Sequence, residues 1–109
     1  MPGGRAALHT VLAQAPDVRA IFFSTDVLAF GALLECRRLG WQVPERLAIA
    51  GLGDLTLAAE MVPALTTIEI RGYAIGARAA DMLLARLGGE DVSPRIVDLG
   101  FRIIARDSA

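Results

Sequence analysis

Two stretches of the chain are apolar without interruption, Ala20-Ile21-Phe22-Phe23-Ser24 and Leu47-Ala48-Ile49-Ala50-Gly51. A strand wet on one face alternates with period two, so unbroken runs predict strands of a parallel sheet covered by helices on both faces. Between them the pattern predicts a helix that opens at Asp26, whose carboxylate can accept from the free amides of the first turn, and stops at Gly40. Arg37 and Arg38 fall in its last turn, beside the partial negative charge of the carbonyls. From Arg5 to Ala15, apolar residues at Leu8, Val11, Leu12 and Ala15 recur at helical spacing, and Pro16-Asp17 closes the pattern. Leu55 to Met61 has the length of a short helix, Thr66 to Ile70 reads as a third strand, and Tyr73 to Leu87 reads as a second long helix. Ile75, Ala79, Met82, Leu83 and Leu87 share one stripe of that helix, with Arg78, Asp81 and Arg86 off it. Ile96 to Leu99 and Phe101 to Ile104 read as closing strands. The order strand, helix, strand, helix, strand defines an α/β fold with a parallel sheet flanked by helices.

The chain leaves the first strand through Ser24-Thr25-Asp26 and the second through Leu52-Gly53-Asp54. Parallel strands put both polar clusters on one rim, and ligands of open α/β sheets bind in the crevice beyond the carboxyl ends of the strands. Asp26 and Asp54 on that rim are candidates for a carboxylate pair in acid/base work, but each also sits where a helix amino terminus takes a cap. The capping reading is preferred for both.

Composition narrows the function classes. At 109 residues the chain holds one ordinary α/β domain or a piece of a larger one. A formal net charge of -1, with no block of like charges, gives no electrostatic footprint for nucleic acid or an anionic membrane surface. The start lacks the layout of a signal peptide, and no apolar run approaches a membrane span, so a cytoplasmic protein is expected. The single Cys36 lies inside the central helical pattern and reads as a buried apolar residue rather than a nucleophile. His9, without a ligand-type neighbour at metal spacing, reads as a solvated or helix-edge histidine, and no metal or other cofactor is implied. Trp41, in the loop Trp41 to Glu45, is expected to cover the amino-terminal edge of the sheet, opposite the rim. No catalytic motif is present: there is no G-x-S-x-G elbow, HExxH, P-loop or G-x-G-x-x-G after a strand. Gly51-Leu52-Gly53 begins like a dinucleotide fingerprint, but Thr56 stands where its third glycine would be. An enzyme is not expected.

Four spaced segments carry a resemblance. Ile21-Phe22-Phe23-Ser24-Thr25-Asp26-Val27-Leu28-Ala29-Phe30-Gly31-Ala32-Leu33, Val43-Pro44-Glu45-Arg46-Leu47-Ala48-Ile49-Ala50-Gly51, Pro63-Ala64-Leu65-Thr66-Thr67-Ile68, and Ile75-Gly76 followed by Ala79-Ala80 and Leu83-Leu84 resemble, in order, the LacI/GalR family of bacterial transcription regulators. The resemblance implies part of an effector-binding domain built like a type I periplasmic binding protein, with two α/β lobes around a cleft. Residues 1–70 would be the carboxyl-terminal lobe, and residues 71–109 the crossover helix and closing strands. The helix-turn-helix domain and most of the first lobe would be missing, so the lobe architecture is incomplete and operator DNA would be reached only through that absent domain.

The resemblance also implies site residues. Ser24, Thr25, Leu52 and Gly53 would line the ligand cleft, with Asp26 and Asp54 as caps at its rim. Two departures bear on the ligand: the family has S-N-D where this chain has Ser24-Thr25-Asp26, and an Asp that accepts from sugar hydroxyls where this chain has Gly53. Losing that carboxylate removes repulsion against an anionic ligand, and the segment is similar to the gluconate-utilisation branch, so a sugar acid is the expected effector. Phe30, Leu34, Leu57 and Met61 would form the contact of a homodimer, which the apolar fraction of 54% suits. The alternative is an extracytoplasmic sugar-binding protein of a transporter, which shares the fold and would carry a signal peptide. Finally, the stripe of the Tyr73–Leu87 helix would normally pack on a sheet absent here. Burying one such side chain is worth roughly 1.5–3 kcal/mol, so the helix is expected to hide against a second copy or against its own sheet. Effector binding by the 109 residues alone is expected to be undetectable.

Overall fold

The computed structural model describes Pro2–Ala109. The elements follow the apolar pattern: α1 (Pro2–Gln14), β1 (Ala20–Phe22), α2 (Asp26–Arg38), β2 (Ala48–Leu52), α3 (Thr56–Glu60), β3 (Thr66–Ile70), α4 (Gly72–Leu87) and β4 (Phe101–Ile104). They form a four-stranded sheet in the order β1-β2-β3-β4. β1 and β2 are parallel with Ile21 opposite Ile49, and β2 and β3 are parallel with Gly51 opposite Thr67. The α/β class and the parallel core therefore follow the sequence pattern. Ile96 to Leu99 forms no strand, leaving a single closing strand, β4.

β1 departs from its expected burial. It is an edge strand, and Phe22 remains 55% exposed. A continuous apolar run does not distinguish a central strand from an edge whose outer row is uncovered. The core lies instead around β2 and the inner faces of α1 and α2: Ile49, Leu47, Phe30, Leu33, Cys36 and Leu8 are fully or almost fully buried. Cys36 is the inert core residue that its position predicts, with burial raising the thiol's pKa. Phe30, expected at a dimer contact, is a core side chain buried within the chain itself.

α1 and α2 pack against each other at close range. Gly4 makes this approach possible: a Cβ there would run into the Leu28 carbonyl and the Cα of Gly31. Glu35 then fastens the pair. Its side chain is buried, and it accepts from Arg38 Nε at 2.5 Å and pairs with Arg5 Nε at 2.9 Å. His9 Nε2 lies 2.6 Å from the same carboxylate, and because an ionised carboxylate only accepts, this nitrogen carries the proton. His9 is thus not merely solvated; it anchors α1 to α2. The hydrogen bonds from Arg38 and His9 hold the Glu35 carboxyl at a pKa of about 2, and the same contact raises Arg38. Trp41 packs on the core before β2, with the Arg46 guanidinium 3.7 Å from its ring centroid, as a residue covering the amino-terminal edge would.

The chain divides into two compact units. The first runs to Glu69 and resumes at Arg102–Ala109; the second is Ile70–Phe101. The last eight residues of the chain belong to the first unit. There Arg106 donates to the Leu65 carbonyl, and the Ser108 hydroxyl bridges β2 and β3 by accepting from the Thr66 amide at 2.8 Å and donating to the Ile49 carbonyl at 2.6 Å. Where the chain leaves and re-enters this unit, Arg102 pairs with Glu69 at 2.5 Å.

In the second unit α4 has no buried residue; Leu83 is 60% and Leu87 75% exposed. Ile75, Ala79 and Met82 line a cavity of about 320 Å³ with Arg95, Val97 and Leu99. Ile75, Ala79, Met82, Leu83 and Leu87 belong to the stripe that the helical spacing predicts. The segment Arg95–Leu99 lines part of it, and the residues towards the carboxyl end of the helix stay open.

Candidate functional site

Parallel pairing brings the exits of β1 and β2 to one side, where Ser24 and Thr25 are exposed and Leu52 and Gly53 half-buried. Thr25, not Asp26, is the N-cap of α2: its backbone is extended and its Oγ1 accepts from the Leu28 amide at 3.3 Å. That bond uses an oxygen lone pair and leaves the hydroxyl proton available to a ligand acceptor.

Asp26 therefore does not cap its own helix. It is fully buried, accepting from the Thr67 hydroxyl at 2.6 Å through Oδ1 and from the Leu55 amide at 2.8 Å through Oδ2. No ion pair among the described residues includes it. Leu55 is the N-cap residue of α3 and makes no side-chain cap bond, so Asp26 serves that helix start from across the sheet. Gly51 makes room for this, because a Cβ there would stand 2.5 Å from Asp26 Oδ1.

Asp54 does not cap α3 either. It adopts the left-handed backbone at φ 53, and its Oδ1 accepts from Arg106 at 2.8 Å. The preceding Gly53 has φ 131, a conformation for which glycine is the suited residue, and its amide donates to the Ile68 carbonyl at 2.8 Å. The turn carrying Leu52 and Gly53 is thus tied to β3, to Asp26 and, through Asp54, to the carboxyl-terminal segment. Asp26 and Asp54 are both structural carboxylates with assigned partners, not an acid/base pair facing open space.

Thr67, Arg106 and Ser108 belong to this arrangement and were not singled out by sequence reasoning. Two signals pointed to them: Thr66-Thr67 opens an otherwise apolar strand, and the polar Arg106-Asp107-Ser108 follows the apolar run Phe101 to Ile104. Of the residues expected at a dimer contact, Leu34 is 51% and Leu57 44% exposed, whereas Met61 is half-buried against the core. Among the described residues no cluster of three metal-ligating side chains occurs, and no helix is long and apolar enough to cross a membrane.

The chain belongs to the periplasmic binding protein-like family: residues 3–109 match the model of the periplasmic binding protein-like domain. Its relatives are transcriptional regulators. It is 45% identical over 98 residues to the HTH-type transcriptional regulator GntR of Pseudomonas aeruginosa, covering 90% of this chain and 29% of that protein. Among solved structures, the transcription regulator GntR from Chromobacterium violaceum superposes with a TM-score of 0.80 at 47% identity, over 96% of this chain and 39% of the other. The transcriptional regulator CelR–cellobiose complex superposes with a TM-score of 0.86 at 33% identity, over 97% of this chain and 32% of the other. The chain spans less than a third of the length of the curated relative named here.

Proposed function

We propose that this chain is the effector-sensing and dimerisation segment of a cytoplasmic, ligand-responsive transcriptional repressor without enzymatic activity. Residues 1–70 would contribute one lobe of the effector domain, and the segment after them the crossover. Operator DNA would be contacted by a separate amino-terminal domain. The carrying observation is the convergence of Ser24, Thr25, Leu52 and Gly53 on one rim, held together by the Asp26 bonds to Thr67 and Leu55. A neighbouring regulator solved with cellobiose supports a sugar-type ligand in this architecture, and relatives that are regulators favour this reading over a transport protein. The mechanism is a population shift: effector binds one lobe arrangement better than the other, and the dimer then presents its DNA-binding heads differently.

The effector class follows from charge. Thr25 offers a hydroxyl donor, Asp54 is paired with Arg106, and Gly53 adds no carboxylate. These features suit a sugar acid, with gluconate as the probe. Testing requires both lobes, for example a chimera in which this chain replaces the matching 98-residue segment of the P. aeruginosa relative. Gly53→Asp and Gly53→Asn share the backbone strain of φ 131, so their difference isolates charge. In calorimetry the Asp variant should bind gluconate about tenfold more weakly than the Asn variant, ~1.4 kcal/mol, while glucose separates them little. Equal losses for the two ligands would remove the charge reading, and a parent chimera that binds no sugar acid would remove the effector assignment.

A further inference from the structure

The four candidate ligand residues come from two separate loops, and their usefulness depends on the spacing between those loops. Ser24 and Thr25 directly precede Asp26; Leu52 and Gly53 lie three and two residues before Leu55. Asp26 is the side chain that bonds both sides of this gap. Its carboxylate is fully buried, so each of its hydrogen bonds runs in a water-poor setting where a lost partner is costly. Oδ2 takes the Leu55 amide at 2.8 Å, and Oδ1 takes the Thr67 hydroxyl at 2.6 Å. Thr67 in turn receives the Asp54 amide at 3.4 Å, which places the same turn against β3. Gly51 leaves the space, and a Cβ on Gly53 would lie 3.9 Å from Oδ2, so the carboxylate forms the floor under the turn.

We propose that Asp26 is the positioning residue of the effector site, acting through Thr67 and the Leu55 amide to fix the Leu52–Gly53 turn relative to Ser24 and Thr25. Asp26 does not touch the effector. Its consequence for binding rests on the effector reading above, whereas its grip on the turn does not.

The test has two arms. In the first, amide hydrogen exchange is followed on the 109-residue chain carrying Thr67→Val, Thr67→Ser or Asp26→Asn. Thr67→Val should speed exchange at Gly53, Asp54 and Leu55 by about tenfold or more while Ile49 and Leu65 change by less than about twofold, and Thr67→Ser should restore the parent rates. A role in general stability alone would instead accelerate β2 and β3 together. Should Thr67→Val unfold the chain, Asp26→Asn, which keeps an amide oxygen for the Leu55 amide, is read in its place. Unchanged exchange at the turn in the folded variants overturns the inference. In the second arm the same substitutions in the chimera should weaken gluconate about tenfold, with recovery in Thr67→Ser. A loosened turn with unaltered gluconate affinity overturns the link between Asp26 and the effector site and leaves the effector reading intact. A parent chimera that binds no sugar acid overturns the effector reading, and the exchange data still decide whether Asp26 holds the turn.

Discussion

A buried carboxylate stabilises a fold only while its partners stay in place and its charge is kept, and Glu35 meets both conditions through Arg38, His9 and Arg5. Its pKa is about 2 in the folded chain against an ordinary 4.5, so as the pH falls the unfolded chain takes up this proton first. The contribution is fully present above about pH 4.5 and is lost as the pH drops towards 2. The thermal midpoint of the parent chain should fall steeply through that window. Glu35→Gln should start lower at pH 7 and fall less steeply, because its side chain does not titrate. Parallel curves for the two would place the acid sensitivity elsewhere. None of this was legible at the residue scale: Glu35 lies four positions before Leu39 in a helical pattern and reads as any exposed acid. What reveals it is α1, twenty-six residues away in sequence at His9. Asp26 and Asp54 show the same limit. Their positions before helices suggest caps, but whether an oxygen turns to its own helix or across the sheet depends on contacts with Thr67 and Arg106 that no local pattern encodes.

At the scale of elements, apolar patterning located the three long helices and the three parallel strands, since burial of one stripe or one run is what drives each to form, whereas α3 is legible only from its length. It failed where burial is decided by neighbours. β1 has the unbroken composition of a central strand but lies at the edge, and Ile96 to Leu99 has strand composition without pairing in the sheet. The same distinction corrects the dimer surface. α2 buries Phe30 and Leu33 and exposes Val27 and Leu34, which lie seven residues apart on one face of the helix, and α3 exposes Leu57. The proposed homodimer is therefore centred on Leu34 and Leu57 rather than on Phe30. Leu34→Glu combined with Leu57→Lys should give a monomer by sedimentation equilibrium with an unchanged circular dichroism spectrum, because both side chains already face outward. Phe30→Lys should unfold the chain instead, and a dimer that survives the double substitution would place the contact on another face.

At the scale of the molecule, the two compact units divide the work. The first holds the rim, the network from Asp26 to Arg106 and the buried core, whereas α4 in the second leaves most of an apolar stripe open. That stripe was legible in the sequence as a helix in need of a partner; which surface covers it was not. A chain covering 29% of a relative's length carries one side of the proposed cleft, which is why the direct test couples it to the rest. The most direct measurement is the operator affinity of the chimera with the P. aeruginosa relative, followed by fluorescence anisotropy with and without saturating gluconate. Gluconate should shift operator affinity by about fivefold or more, matching an ordinary allosteric coupling free energy of ~1 kcal/mol or more. In Thr67→Val the gluconate concentration that gives half of this shift should rise about tenfold, and in Thr67→Ser it should return to the parent value. An operator affinity unchanged by gluconate that calorimetry shows to be bound would contradict the effector-sensing role.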